Sequence, residues 1–270
     1  YIEKCLNSIL NQKVNFNFEI IVGEDFSSDR TLEICNRIAS HYPDIIKVFN
    51  HNVNLGLLKN TVNNLKNCQG KYIAMCDGDD YWIDESKLQQ QINFLEQNSD
   101  YVMCFSKCII DSSVSIPYKS KFHLPKNEIL SIEEIILRHY MPTSSIMFRT
   151  NCLDENIFYA ILNSHVNDLP LEILTSMKGK IRFFDKKFSA YRINDKSLTS
   201  KYLLLLETKW KKIAINFLKG IKAIDTIWLN NLVLNSKYIE IYKSKGLEEA
   251  KEFIKYLANL FTWFDFKTDK

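Results

Sequence analysis

Three aspartates, Asp77, Asp79 and Asp80, crowd into four positions directly after a mostly apolar run in YIAMCDGDDYW (residues 72–82). Carboxylates this close repel one another and retain protons unless a cation neutralises them. A hard divalent ion such as Mg²⁺ or Mn²⁺ prefers carboxylate and phosphate oxygens, so a D-x-D pattern points to a metal and, through it, to a phosphate. Standing alone, the stretch fits a solvated acidic turn equally well, and chemistry requires partners elsewhere. Glu24 and Asp25 end a second apolar run, FEIIVGED (residues 18–25), and Asp168 stands before Pro170 and an apolar helical pattern in VNDLPLEIL (residues 166–174). A carboxylate at a helix start either caps the helix or points out of the turn.

The elements that must carry these acids alternate. Residues 1–11 place Ile2, Cys5, Leu6, Ile9 and Leu10 at helical spacing. FEIIVGED reads as a strand feeding a helix capped by Ser28, with Leu32, Ile34, Cys35 and Ile38 along one side. IIKVFN is a strand, GLLKNTVNNLKNC a helix, KYIAMC a strand, and DESKLQQQINFLEQN a helix that Asp84 can cap. Alternating β and α units predict a parallel sheet with helices on both faces, and such sheets bind ligands at the carboxyl ends of their strands. Both acid clusters fall there. Beyond residue 100 the pattern changes to the strands YVMCFSKCII, SSIMFR, KIRFFD and FSAYRI, with a loop-rich stretch from Asp111 to Asn127. From Tyr202 the chain reads as helical, with lysines interleaved among Trp210, Phe217, Trp228, Tyr238, Phe253, Tyr256, Trp263 and Phe264.

Composition narrows the class. A chain of 270 residues buries a core large enough to need no metal or disulfide for folding. The formal net charge of +3 is spread without a dense basic cluster, which argues against a nucleic-acid binder. The seven cysteines contain no C-x-x-C pair and read as reduced, mostly buried thiols of a cytoplasmic protein. No apolar run approaches the roughly 18–20 residues that span a bilayer. The C-terminal lysine and aromatic pattern fits helices packed on their own domain, or a peripheral attachment to the inner face of the cytoplasmic membrane.

The stretches EDFSSDRT, NVNLGLLKN, QGKYIAMCDGDDYW, DESKLQQQINFL, TSSIMFR, NDLPLEILTSMKGKIRFFD and AYR occur in this order. Their order and spacing resemble the inverting family-2 glycosyltransferases of GT-A fold, over roughly residues 1–200, with residues 201–270 as a C-terminal helical extension. The resemblance implies an α/β fold, a Rossmann-like, mixed and mainly parallel sheet flanked by helices. It implies a nucleoside-diphosphate sugar donor, UDP-linked in preference, a divalent Mn²⁺ or Mg²⁺ cofactor, and a glycan or lipid-linked acceptor of the kind met in bacterial surface polysaccharide synthesis. Position by position, it assigns Glu24, Asp25, Asn54, Gly56 and Asn60 to the nucleoside, Asp77 and Asp79 to the diphosphate and its metal, Asp80 and Trp82 to the acceptor side, and Asp168 to the catalytic base. Asp29 and Thr31 complete the family's D-x-S-x-D-x-T run, where Ser27 and Asp29 also suit a helix start.

Two departures accompany the resemblance. The family's first strand, central in the sheet and packed against the base, has no counterpart here, because the chain opens on the helix YIEKCLNSILNQ; a sheet without its central strand and a fragmentary sequence are the expectation. A histidine that often follows the family's Tyr-Arg is Asn194 here, so no histidine metal ligand carries over. Phosphotransferases of haloacid-dehalogenase type also place D-x-D after a strand, but Tyr81 and Trp82 stand where they need small or β-branched residues. An EF-hand lacks its alternating ligands and closing Glu. A GT-A domain that binds a nucleotide sugar or a partner protein without catalysis remains the alternative.

Overall fold

The computed structural model describes residues 1–112, 125, 128–130, 141–163 and 167–193. Most of the loop from Asp111 to Asn127, Asn194 and the C-terminal extension lie outside the described residues. The chain divides into two units, Tyr1–Leu206 and Glu207–Lys270, and every described residue belongs to the first.

The first half follows the alternation read from the sequence. Helix α1 (Ile2–Leu10) buries Cys5 and Leu6; strand β1 (Ile20–Glu24) leads to α2 (Thr31–His41), β2 (Ile46–Asn50) to α3 (Leu57–Asn67), and β3 (Tyr72–Ala74) and the short β4 (Tyr81–Trp82) to α4 (Lys87–Gln97). The apolar stripes close the layers. Leu6, Ile20, Cys35, Ile38 and Ile46 form one core cluster, and Trp82, Leu88, Leu95, Cys104 and Met147 another. Fully burying a side chain such as Leu95 stabilises the fold by about 1.5–3 kcal/mol.

The cap residues differ from expectation. Helix α2 starts at Thr31 with Arg30 at its cap, and Asp29, rather than Ser28, accepts from the Thr31 amide (2.9 Å) and hydroxyl (2.6 Å). At α4 the cap position is Ser86, and Asp84 turns the chain into it by accepting from the Ser86 amide at 2.8 Å. In both places a short carboxylate bonds two residues ahead, forming a turn before the helix.

The second half adds β5 (Tyr101–Ser112), β6 (Ile129–Leu130), β7 (Met147–Arg149), α5 (Glu155–Leu162), α6 (Asp168–Ser176) and β8 (Lys180–Ile193). KIRFFD and FSAYRI, expected as two strands, form the single strand β8. The exposed Asp185 and Lys186 bulge out where the register against Ser106 and Lys107 shifts, so the charged break is absorbed without ending the strand. The long β5–β8 ladder and the β1–β2 ladder are parallel, while β3–β7, β5–β7, β4–β8 and β6–β8 are short antiparallel ladders. The sheet system is therefore mixed and mainly parallel, flanked by helices. Arg149 ties β7 to its neighbours, donating to the carbonyls of Tyr101 (2.8 Å), Leu95 (2.5 Å) and Asn98 (3.2 Å) and thereby satisfying orphan acceptors at the end of α4.

The strands form two sheets, β1-β2 and β3-β7-β5-β8-β4 with β6 on β8. Among the described residues no strand joins β1 to β3. A cleft of about 430 Å³ lies there, lined on one side by Phe18, Ile20 and Ile21 and on the other by Tyr72, Ala74, Cys76 and Asp77.

Candidate active site

The acids after β3 are shaped by a tight turn, in which the Asp80 amide donates to the Asp77 carbonyl at 2.9 Å. Gly78 packs closely within it: a Cβ there would stand 3.2 Å from the Ile2 Cδ1 atom, so that side-chain end would have to shift by a few tenths of an ångström. The turn drives Asp80 inward to 1% exposure, where its Oδ1 accepts the Arg192 amide at 2.8 Å while Oδ2 is buried without a partner among the described residues. Arg192, near the end of β8, also donates from Nη1 to the Asp79 carbonyl at 2.5 Å, and its Nε stands 3.6 Å from Asp111. The Tyr81 hydroxyl donates to the same Asp111 carboxylate at 3.0 Å.

Burial raises all three carboxyls. Burial, then the charges of Asp80, Asp79 and Asp168, pushes Asp77 up to about 8, although by surface area Asp77 is only half-buried, because it faces the cleft. Burial pushes Asp80 up to about 7, with the Arg192 amide opposing and the Asp79 charge adding. Asp79 is raised by burial, and the Arg192 guanidinium partly offsets this. Asp77 and Asp80 therefore hold their protons to much higher pH than free carboxylic acids do.

Asp168 enters from the opposite side of the chain. Asn167 occupies the cap of α6 and Asp168 its first turn, its Oδ1 accepting the Leu169 amide at 2.8 Å. Asn167 donates to the Thr61 hydroxyl on α3 at 3.1 Å, and Thr61, Asn64, Asn167 and Asp77 line the same cleft. The fold thus brings Asp168 within electrostatic reach of Asp77. One turn further along α6, Glu172 is fully buried with neither oxygen hydrogen-bonded among the described residues, and burial followed by the Asp168 charge holds its carboxyl well above the usual range.

The residues assigned to the nucleoside gather separately, at the carboxyl ends of β1 and β2. Asp25 fastens the following loop: its carboxylate accepts the amides of Leu55 (2.6 Å) and Gly56 (2.9 Å), and the Asn54 side chain donates to its carbonyl at 2.8 Å. Gly56 caps α3 at φ +81°, a conformation open to glycine without strain. Buried Glu24 accepts the Ser27 amide at 2.8 Å. Asn60 donates to the Gly23 carbonyl at 3.0 Å, leaving its own Oδ1 buried and without a partner among the described residues. Trp82 is buried at 6% exposure, its Nε1 donating to the Ser144 carbonyl at 2.8 Å and its ring lying 4.1 Å from the buried Lys87 ammonium.

Two features escaped the residue-by-residue reading. Arg192 belongs to the AYR stretch, yet its contacts with Asp79, Asp80 and Asp111 come from strand pairing that the sequence does not display. Glu172 looks like a polar break in an apolar helix, and that break was its visible signal. No group of three or more His, Cys, Asp or Glu among the described residues is arranged to hold a metal ion. A Mg²⁺-type site needs no such group, because one or two carboxylates suffice when phosphates complete the shell.

The description "Glycosyl transferase family 2" belongs to the family model that matches residues 1–155, more than half of the chain. The chain belongs to glycosyl transferase family 2. Among curated relatives of this family-2 chain is the uncharacterised glycosyltransferase EpsJ of Bacillus subtilis, 30% identical over 217 residues that cover 74% of this chain and 59% of EpsJ. The chain spans about half the length of the curated relatives it matches. Among solved structures, Staphylococcus aureus TarS 1-349 in complex with UDP-GlcNAc has a TM-score of 0.56 at 21% identity, covering 96% of this chain and 76% of TarS 1-349. The Pyrobaculum calidifontis mannosyltransferase PcManGT, in complex with GDP-Man and Mn²⁺, has a TM-score of 0.52 at 11% identity, covering 96% of this chain and 81% of the other. At such identities the likeness is one of fold, here GT-A. No helix among the described residues is long and apolar enough to cross a membrane.

Proposed function

We propose that this family-2 chain moves a hexosyl or N-acetylhexosaminyl group from a nucleoside-diphosphate sugar, UDP-linked in preference, to a hydroxyl of a glycan or lipid-linked acceptor, with inversion at the anomeric carbon. The observation that carries the proposal is that Asp77 and Asn167, the residue before Asp168, line one cleft, with the Asp168 charge among those that raise the Asp77 carboxyl. The donor class is suggested by TarS with UDP-GlcNAc and PcManGT with GDP-Man and Mn²⁺. A surface-polysaccharide acceptor follows the family resemblance.

Negative charge grows on the leaving diphosphate as the glycosidic bond breaks, so stabilising that charge lowers the barrier more than it strengthens ground-state binding. Asp79 and Asp77 would hold a divalent ion, which when bound would supply that stabilisation as a Lewis acid. The buried Asp80 Oδ2, which has no hydrogen-bond partner among the described residues, and the raised Asp77 carboxyl are compatible with a cation bound at this turn. Arg192 holds the turn in shape from behind through the Asp79 carbonyl and the Asp80 carboxylate. On the far face Asp168 accepts the proton of the attacking hydroxyl, and one in-line displacement inverts the anomeric centre without a covalent enzyme intermediate. Trp82 and Asp80 stand on the acceptor side, and Glu24, Asp25, Asn54, Gly56 and Asn60 border the nucleoside, with Asp25 acting through the loop it fastens.

The test is donor-dependent release of nucleoside diphosphate, with Mn²⁺, from a panel of nucleotide sugars and glycan acceptors. Asp168→Asn is expected to lower kcat by about 10²–10⁴ while donor binding, followed by calorimetry, stays within a few-fold. Undiminished transfer by Asp168→Asn overturns the base assignment. Donor binding without turnover in the unaltered protein overturns the catalytic reading.

A further inference from the structure

Cys5 and Cys76 approach each other across the junction of α1 and the end of β3, with their sulfurs 3.7 Å apart. Cys5 is buried at 3% exposure and its Sγ also lies 3.6 Å from the Asp77 carbonyl oxygen. Cys76 immediately precedes Asp77, is half-buried, and lines the 430 Å³ cleft, which gives a small oxidant a way to its sulfur. Neither thiol has a part in the sugar-transfer chemistry above.

We infer that Cys5 and Cys76 form an oxidative modification site, a dithiol that closes to a disulfide under peroxide and thereby displaces the acid turn beginning at Asp77. Peroxide oxidises the Cys76 sulfur to a sulfenic acid, losing one water; the Cys5 sulfur attacks it, the S–S bond forms, and the sulfenic oxygen leaves as a second water. In balance, two thiols and one hydrogen peroxide give one disulfide and two waters, and a dithiol reductant returns the two electrons. Closing the sulfurs from 3.7 Å to the bond length of about 2.05 Å moves one segment toward the other. Because Cys5 already touches the Asp77 carbonyl, that movement is felt at Asp77 and its neighbours. A displacement of about 1 Å at a reacting site costs about 10²-fold in rate. The consequence for turnover rests on the proposed sugar transfer; the chemistry at sulfur does not.

The experiment treats the protein with hydrogen peroxide, blocks remaining thiols and maps disulfides by non-reducing peptide mass spectrometry, measuring nucleoside-diphosphate release in parallel. The expected result is a Cys5–Cys76 peptide, a loss of transfer of about 10²-fold that dithiothreitol reverses, and, in Cys5→Ala, which retains basal transfer, no such disulfide but a Cys76 sulfenic acid that dimedone labels. Cys35 is the internal control, since its thiol also lies within electrostatic reach of Cys5. Absence of a Cys5–Cys76 peptide after peroxide, or a Cys5–Cys35 peptide in its place, overturns the inference. So does a Cys5–Cys76 disulfide that leaves transfer unchanged. If even the reduced protein transfers no sugar, the proposed function fails, and Mn²⁺ binding by the oxidised and reduced forms becomes the second readout: equal affinity refutes displacement of the turn.

Discussion

Replacing Asp80 by asparagine should flatten the pH dependence of folding stability. Asp80 is 1% exposed, and burial lifts its carboxyl from 3.8 to about 7. Below pH 3.8 the carboxyl is protonated in both folded and unfolded chains, and the contribution to stability is fully present. As the pH rises the unfolded chain releases its proton first, so stability falls until the folded group ionises near pH 7. A displacement of about three pH units at about 1.4 kcal/mol each amounts to a loss of about 4 kcal/mol across that window. The Asp80→Asn variant has no proton to release there. Its amide keeps the acceptor for the Arg192 N–H but places a donor where Oδ2 finds no partner, costing about 1–3 kcal/mol at every pH. The variant should therefore be less stable than the unaltered protein at pH 4.5 and more stable at pH 8. Asp77, pushed up to about 8 in part by Asp80, continues the decline in both proteins and less steeply in the variant. Urea unfolding followed by tryptophan fluorescence, with a chelator present, at pH 4.5, 6 and 8, measures the difference. Parallel stability curves for the two proteins refute the argument that a buried carboxyl at this turn controls the slope.

Other perturbations separate scaffold from site. Gly23→Ala puts a methyl group into the Asn60 and Asn64 side chains of α3, and a loss of about 1–3 kcal/mol is expected in thermal melts; an unchanged melting temperature means α3 is not pressed against β1 as described. Arg149→Met strips charged donors from the carbonyls of Leu95, Asn98 and Tyr101 and should destabilise the fold by about 3 kcal/mol, checked by denaturant titration. Asp25→Asn keeps one acceptor for two amides, so the Leu55–Gly56 loop should loosen: hydrogen exchange at those amides rises, and nucleotide-sugar affinity drops several-fold if the loop borders the nucleoside. Unaltered exchange there would show that the carboxylate is not what holds the loop.

Much of this protein was legible residue by residue because the signals are local. Apolar runs of strand length followed by helical periodicity placed β1 to β3 and α1 to α4, since the alternation of buried faces is written directly into the order of side chains. The D-x-D pattern at the end of KYIAMC, the acids after Ile20–Gly23 and the carboxylate before Pro170 were visible for the same reason. Through-space effects were not. That Asp25 secures the 54–56 loop, that Arg192 reaches back to Asp79 and Asp80, and that Asp168 acts on Asp77 all depend on which strands and helices become neighbours. KIRFFD and FSAYRI joined into one strand because pairing with β5 rewards a continuous ladder even across a charged bulge. The sequence by itself settled which chemical groups the protein owns and that its strands deliver acids to their carboxyl ends. Only the tertiary structure decided how deeply those acids are enclosed, and it is that enclosure, by stripping water from like charges, that lifts Asp77 and Asp80 far above ordinary carboxylates.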